Sequence, residues 1–117
     1  MGEAGYKRLI AWQKADRLAK TVYLATRKFP KEELYGITSQ IRQSALSVQT
    51  NIVEGSARRG KRELKQFLSV ALGSLAETEY LLDFSFDLRF LESEDYENLQ
   101  GLRQETGNLL WRFFNSI

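Results

Sequence analysis

The sequence predicts an all-α protein, an antiparallel up-down bundle of four helices built from one domain over residues 1–117. Three observations support this prediction. The chain has one proline, and its apolar residues recur at intervals of three and four, which is the spacing of one helix face. Turn-forming stretches divide this pattern into four segments. A chain of 117 residues is long enough for one hydrophobic core and short for two domains.

The first two predicted helices lie on either side of Pro30. The second helix is expected to begin between Pro30 and Thr38, because proline is favoured in a first helical turn and Gly36 precedes Thr38. Gly55 is its expected stop, since glycine is favoured just after helix C-termini. The apolar face of the first helix comprises Ala11, Ala15, Leu18, Val22, Ala25 and Phe29.

A row of uncharged polar residues runs beside the apolar face of the second helix. Its members are Gln40, Ser44, Ser47 and Asn51, and Glu54 follows them. Small polar side chains permit close helix packing, and a buried amide needs partners, so we expect Gln40 and Asn51 to hydrogen bond to neighbouring helices. The alternative is a polar groove that contacts a ligand or RNA, and the sequence leaves it open.

The third predicted helix runs from Lys61 to Leu91 and carries two apolar stripes. Its main stripe comprises Leu64, Leu68, Ala71, Leu75, Thr78 and Leu82. A second stripe, nearly opposite, comprises Tyr80, Phe84, Leu88 and Leu91. One stripe suffices for a monomeric bundle, so the second indicates another burial partner, and a second copy of the chain is the simplest. The fourth helix carries Tyr96, Leu99, Leu102, Thr106, Leu109 and Phe113 on one face.

The composition leaves little chemistry for catalysis. Neither cysteine nor histidine is present, so the sequence has no thiolate or imidazole for a metal site, a nucleophile or a general base. The stretch GSARRGKR resembles a phosphate-binding loop, but Arg62 stands where that motif has serine or threonine, and the residues before Gly55 have a helical pattern. We therefore expect that the protein is not an enzyme, that it binds no metal or cofactor, and that Lys61 does not bind ATP.

The sequence also predicts where the protein resides. No stretch has the roughly 18 uninterrupted apolar residues of a membrane span. The N-terminal residues MGEAGYKRLI contain no apolar core of a signal peptide, and Tyr6 does not fit a myristoylation site. A cytoplasmic location is therefore expected, with neither a membrane nor a small-molecule substrate as partner.

Opposite charges divide the chain into two halves. Residues 1–65 hold 14 Lys/Arg and 6 Asp/Glu, a net +8, whereas residues 66–117 hold 3 and 9, a net −6. The densest cluster of cations precedes and opens the third helix, where free N–H groups and guanidinium groups would together suit phosphate. The residues predicted to bind RNA or DNA are Arg58, Arg59, Lys61, Arg62 and Lys65, helped by Arg42, Lys14 and Arg17. The alternative is a protein-binding scaffold whose opposite charges pair between subunits.

The chain also resembles a known family. Its pattern W-Q-K-A…Y…F-P…E…Y-G-I-T-S-Q-I-R…S…N-I-V-E-G, followed by F-L…A-L-G-S-L-A-E, spans Trp12 to Glu77. This pattern is similar to that of the bacterial proteins encoded in intervening sequences of 23S ribosomal RNA genes. The resemblance implies a four-helix bundle that assembles as a ring-like homopentamer. A related branch is the accessory variability protein of diversity-generating retroelements, a basic barrel that binds nucleic acid and reverse transcriptase; the acidic second half of this chain departs from that charge pattern.

Overall fold

The computed structural model describes residues 5–117 and contains four α-helices joined by short connections. The predicted single domain also includes residues 1–4, which lie outside the described part. The helices are α1 (Ile10–Ala25), α2 (Ile37–Ser56), α3 (Lys61–Asp87) and α4 (Ser93–Asn115), and short 3₁₀ turns cover Gly5–Arg8, Thr26–Lys28 and Lys31–Glu33. Every regular element in residues 5–117 is helical, as predicted.

The four helices pack as an antiparallel square in which each helix contacts its neighbours along the chain. Contacts also close the square between α1 and α4, and the most extensive packing joins α2 to α3. The molecule is a rod of 43 × 23 × 23 Å. We call the end that holds the α1–α2 and α3–α4 connections the upper end. The lower end holds the α2–α3 connection, the start of α1 and the last turn of α4.

The core consists of the apolar faces that the periodicity predicts. Leu18, Ile41, Leu68 and Leu82 are fully buried, one or two from each of the first three helices. Helix α4 presents Leu99, Leu102, Thr106 and Leu110 to the core. The predicted apolar face of the fourth helix included Leu109, whereas the structure buries Leu110 and leaves Leu109 half-buried. Consecutive residues point in directions about 100° apart on a helix, so Leu109 falls at the edge of the face that Leu110 shares with Thr106.

The third helix ends four residues earlier than predicted, at Asp87 instead of Leu91. Arg89 adopts a left-handed backbone conformation with a φ of 64°. The N–H of Phe90 donates to the carbonyl of Ser85 at 2.8 Å, and the N–H of Arg89 donates to Phe86 at 2.9 Å. This pair of bonds is the Schellman arrangement that closes many helices, usually with glycine at the left-handed position. The sequence carries no glycine there, so the stop was not predicted.

Gly55 does not end α2, contrary to the prediction. The helix continues to Ser56, and Gly55 is buried against α3. A Cβ added at Gly55 would lie 2.9 Å from the Cβ of Phe67 and 3.0 Å from a methyl carbon of Leu64. Gly55 therefore permits the close approach of α2 to α3. The start of α2 at Ile37 lies within the predicted interval, and residues Lys31–Glu33 form a separate 3₁₀ turn.

The polar row of α2 forms a hydrogen-bonded seam with α3. The hydroxyl oxygens of Ser47 and Ser74 are 2.8 Å apart, and those of Thr78 and Ser44 are 2.9 Å apart. Asn51 donates to the Ser47 carbonyl at 2.7 Å and to its hydroxyl at 3.0 Å, both within its own helix. These serines and Thr78, rather than Asn51 itself, make the direct bonds between helices.

Gln40, the first member of that row, takes no part in the seam. It is exposed and makes no side-chain hydrogen bond among residues 5–117, so its predicted role in holding a neighbouring helix was wrong. Among the described residues, the predicted hydrogen bonds to a neighbouring helix are thus found at neither Gln40 nor Asn51, and Ser44 and Ser47 make such bonds instead.

Aromatic and charged contacts close the upper end. Phe29 of the α1–α2 connection packs on Phe90 of the α3–α4 connection with ring centres 5.7 Å apart. Lys28 pairs with Asp95 at 3.1 Å, and this hydrogen bond raises the pKa of Lys28 above its ordinary value. These contacts join the α1–α2 connection to the α3–α4 connection and to the first turn of α4.

In the described residues, no helix combines the length and the apolar character that crossing a membrane requires.

Candidate nucleic-acid interface

The predicted basic cluster lies at the lower end of the bundle, where α2 passes into α3. Arg58 and Arg59 belong to the connection, whereas Lys61 and Arg62 open α3 and Lys65 follows one turn later. A connection of four residues, 57–60, separates the two helices, so the five cations are confined to one corner of the rod. The structure thus brings together the five residues that the sequence predicts as the centre of the site.

Two of these five cations rest on aromatic rings. The guanidinium carbon of Arg58 lies 4.9 Å from the centre of the Phe67 ring. The ammonium group of Lys65 lies 4.8 Å from the centre of the Phe114 ring, which belongs to the last turn of α4. Cation–π contacts hold a charge in place without neutralising it. Both cations therefore keep their charge available to an external anion.

The dipoles of α2 and α3 act differently on the cations of this corner. Lys61 and Arg62 lie in the first turn of α3, where the helix dipole disfavours cations by about 0.3–1 kcal/mol each. Arg58 and Arg59, however, follow the C-terminus of α2, where the dipole favours a positive charge. No side chain caps α3 at Gly60, so its first N–H groups face the same corner. The unfavourable placement therefore concerns two of the five cations.

The antiparallel topology adds cations that are distant in sequence from the predicted cluster. Lys7 and Arg8 precede α1, and Arg112 lies in the last turn of α4, so all three occupy the lower end and all are exposed. We call the whole set the basic end. Its members are Lys7, Arg8, Arg58, Arg59, Lys61, Arg62, Lys65 and Arg112. These added residues are far apart in sequence, and only the helix order could have united them.

The basic end carries few opposing charges. Glu54 in the last turn of α2 and Glu63 in the first turn of α3 are its acidic neighbours in these helices. Ion pairs between residues 5–117 join Lys14 to Glu105, Lys20 to Asp16, Lys28 to Asp95 and Arg103 to Glu79. None of these four pairs includes a member of the basic end. Within the described residues, no ion pair neutralises a charge of the basic end.

Three predicted helper residues lie away from the basic end. Arg42 is near the upper end, where its Nε donates to Thr26 at 2.8 Å and its guanidinium lies 4.9 Å from the centre of the Tyr23 ring. Lys14 pairs with Glu105 of α4 at 2.7 Å, and Arg17 is exposed one turn further along α1. Arg42 therefore serves the packing of α1 on α2, and the predicted grouping of Arg42 with the cluster was wrong.

The acidic residues of the second half are partly engaged inside the chain. Asp83 accepts a hydrogen bond from the Tyr96 hydroxyl at 2.5 Å and another from Gln100 at 3.0 Å. The bond to Asp83 raises the pKa of Tyr96 above its ordinary value of 10.0. Together with the Lys28–Asp95 pair, these contacts hold acidic side chains near the upper end, far from the basic end.

The geometry of a phosphate-binding loop is missing around Lys61. Such a loop follows a strand, but residues 37–56 are helical up to the turn that precedes Gly60. Arg62 continues α3 at the position where the motif has a magnesium-binding hydroxyl. Among residues 5–117, no cluster of three or more acidic side chains is arranged to hold a metal ion.

The predicted oligomer interface is exposed at three of its four residues. Tyr80 and Phe84 of α3 are 61% and 39% exposed, and Leu88, which directly follows the last residue of α3, is 50% exposed. Leu91 is only 4% exposed and belongs to the core, because the chain turns inward after Arg89. Leu91 is therefore unavailable at the surface of the single chain, and we call the remaining three residues the α3 ridge.

The fold and the sequence together place the protein in a class and a family. The molecule is an antiparallel four-helix bundle protein with a strongly basic lower end. The profile of the family described as 23S rRNA-intervening sequence protein matches residues 7–112. The chain therefore belongs to the 23S rRNA-intervening sequence protein family.

A solved structure has a similar fold. It is a protein of unknown function from the S23 ribosomal protein family of Bacteroides thetaiotaomicron VPI-5482, with a TM-score of 0.80 and 22% sequence identity. The alignment covers 90% of this chain and 98% of that one, so the shared fold extends over nearly the whole bundle. Among curated proteins, none matches this chain.

Proposed function

We propose that this protein is a non-enzymatic, homo-oligomeric four-helix bundle that associates weakly with RNA or DNA through its basic end. One observation carries the proposal. Eight Lys/Arg side chains gather at one end of the rod with Glu54 and Glu63 as their acidic neighbours, and no ion pair within residues 5–117 includes any of the eight. A surface with such an excess of charge favours a polyanion as its partner.

Phosphate, rather than base edges, is the feature that this surface suits. Exposed lysine and arginine side chains on a connection and a helix start contact the nucleic-acid backbone, which is the same for every sequence. Arg58 and Lys65, held on aromatic rings, supply fixed charges, and the exposed Arg59, Lys61 and Arg62 adapt to the ligand. The binding we propose is therefore sequence-tolerant and strongly dependent on salt.

Oligomerisation would strengthen such a weak contact. The exposed α3 ridge supports self-association, because a helix in a stable bundle does not need a second apolar surface in water. A ring repeats the basic end in every subunit, and a strand that reaches several copies binds with higher avidity. We propose five copies by resemblance to the family, and a cytoplasmic setting. The family name refers to the location of the genes and says nothing about binding.

A protein-binding scaffold without a nucleic-acid role is the second candidate. The exposed apolar side chains Ile10, Val70 and Trp111 favour it, since they add to the surface that a protein partner could cover. In that case the basic end would pair with acidic surfaces of a partner, and no RNA or DNA would bind.

A salt titration tests the proposal. We expect a labelled single-stranded RNA and a duplex DNA of mixed sequence to bind at low salt in fluorescence anisotropy. The logarithm of affinity should fall linearly with the logarithm of salt concentration, with a slope of about −0.7 to −0.9 for each phosphate neutralised. Replacing Arg58, Arg59 and Arg62 with glutamine should abolish binding without changing the oligomer mass.

The matched control removes three cations from the upper end instead. Lys28, Lys31 and Arg89 replaced with glutamine change the net charge by the same amount, and this variant should keep its affinity. Equal losses in both variants would show that only the net charge matters. If the wild type binds neither RNA nor DNA at low salt, the scaffold is the better account.

A further inference from the structure

A second exposed apolar surface, a groove, lies on a face of the bundle close to that of the α3 ridge. It lies between α1 and α2, with a volume of about 540 Å³, and its lining includes Tyr23, Leu24 and Leu46. These three side chains are exposed in the single chain, with Leu24 56% accessible. We call this the α1–α2 groove. An exposed groove and an exposed ridge on one molecule are the two halves that a head-to-tail contact requires.

The groove and the ridge lie at the same level along the rod. Tyr23 and Leu24 are in the last turn of α1, and Tyr80 and Phe84 are in the last two turns of α3. In an antiparallel bundle α1 and α3 run in the same direction, so both surfaces are near the upper end. Two copies can therefore join side by side with their long axes aligned and their ends level.

The charges beside the two surfaces are opposite. Arg27 lines the groove, and Arg42 stacks on Tyr23 at its edge. The lining residues Lys20 and Asp16 pair with each other at 2.8 Å, so the groove keeps an excess of positive charge from the two arginines. The ridge is flanked on α3 by Glu77 and Asp87, which are exposed and form no ion pair within residues 5–117. Opposite charges around an apolar contact fix its register and exclude wrong pairings.

We infer that the α3 ridge of one copy occupies the α1–α2 groove of the next copy. This inference rests on the proposed homo-oligomer and specifies which surfaces meet. The lateral faces are large enough for it, because a rod side of 43 × 23 Å can supply the roughly 800 Å² per partner that a stable interface buries. Tyr80 and Phe84 provide aromatic anchors, the side chains that dominate binding energy in many interfaces.

The positions of the two surfaces around the bundle lead to a closed ring. The groove lies on the α1–α2 side, and the ridge lies on α3 near Ile37 and Gln40 of α2. In an idealised square bundle these two directions are about 90–135° apart. When the two contact directions of each subunit differ by such an angle, repeated head-to-tail contacts form a closed ring of about four to eight copies. The basic ends of all subunits then lie on the same face of the ring.

Chemical cross-linking tests this pairing because the chain contains no cysteine. Leu46→Cys places a thiol in the groove, and Phe84→Cys places one on the ridge. We expect a bismaleimide reagent to join the two variants when they are co-expressed with different tags, and to join neither variant expressed alone. The matched control co-expresses Leu46→Cys with Gln104→Cys, which is exposed on α4 across the bundle from α2 and should give no cross-link.

Each alternative outcome overturns the inference in a distinguishable way. Cross-links formed by Phe84→Cys alone would show ridge-to-ridge contact in a two-fold dimer. An oligomer by light scattering without Leu46–Phe84 cross-links would place the interface on other faces. A monomeric mass would overturn both this pairing and the proposed homo-oligomer. Failure of RNA and DNA to bind, with the cross-links present, would overturn only the nucleic-acid part of the proposed function.

Discussion

Gly55 of α2 lies so close to Phe67 of α3 that a Cβ added to the glycine would be 2.9 Å from the Cβ of the phenylalanine. Atoms attached directly to a backbone cannot move aside without shifting a helix. We therefore expect Gly55→Ala to lower the free energy of unfolding by about 1–3 kcal/mol, the usual cost of overpacking. Urea denaturation at a fixed protein concentration measures this change.

The control for that variant is Gly101→Ala. Gly101 is in the middle of α4, and nothing lies within 4 Å of its added Cβ. Alanine there should raise the free energy of unfolding by about 0.5–1 kcal/mol, because glycine weakens helix interiors. If both variants gained stability, the close contact between α2 and α3 would be absent in solution.

The left-handed conformation of Arg89 leads to a second prediction. Arg89→Gly should raise the free energy of unfolding by up to about 1 kcal/mol, because glycine adopts a φ of 64° without steric cost. The control is Arg59→Gly, an exposed arginine in a connection without positive φ, which should gain nothing. Thermal melting of both variants compares them, and equal effects would contradict the strain at Arg89.

The hydrogen-bonded seam between α2 and α3 should contribute to the stability of the fold and not to ligand binding. Thr78→Val preserves the shape of a fully buried side chain and removes the hydroxyl that contacts Ser44 and Ser74. We expect the free energy of unfolding, measured by urea denaturation, to fall by about 1 kcal/mol. The effect is no larger because the remaining polar groups keep other hydrogen-bond partners.

Asn51→Ala should cost less than Thr78→Val, because Asn51 is only half-buried and bonds within its own helix. Neither variant should change the affinity for RNA or DNA. A loss of affinity in Asn51→Ala at unchanged stability would show instead that the polar row is a ligand site.

The Tyr96–Asp83 hydrogen bond predicts a pH effect. The bond favours the neutral phenol, so Tyr96 has a pKa above 10.0 in the folded protein. Its stabilising contribution is complete below the pKa of the unfolded chain and is lost as the pH rises through the folded pKa. Asp83→Asn should shift the ionisation of Tyr96 toward its ordinary range, as measured by ultraviolet titration. An unchanged titration would mean that the bond does not form in solution.

The sequence predicts the parts of this fold that burial makes periodic. Leu68, Ala71 and Leu75 of α3, for example, recur at intervals of three and four because one face of the helix meets the core. The end of α3 was missed because an arginine takes the position that glycine usually marks. Gly55 was misjudged for the opposite reason, since a glycine required for close packing resembles one that ends a helix.

The candidate site was predictable only in its local part. Arg58 to Lys65 are neighbours in sequence, so their clustering needed no knowledge of the fold. Arg8 and Arg112 join them through the antiparallel order of the helices, and Arg42 is carried to the other end by the length of α2. At about 1.5 Å per residue, that helix separates Arg42 from Arg58 by roughly 24 Å.

The separation of charge along the rod also determines how the proposed approach to a polyanion would proceed. Salt screens exposed charges over a Debye length of about 8 Å at physiological ionic strength, whereas the rod is 43 Å long. A phosphate near Arg58 or Arg62 therefore experiences almost nothing of the acidic side chains at the far end. At lower salt the rod is an electric dipole, and a polyanion would turn its positive pole toward itself before contact. The nearly balanced net charge of +2 thus conceals a molecule with one attractive pole and one repellent pole.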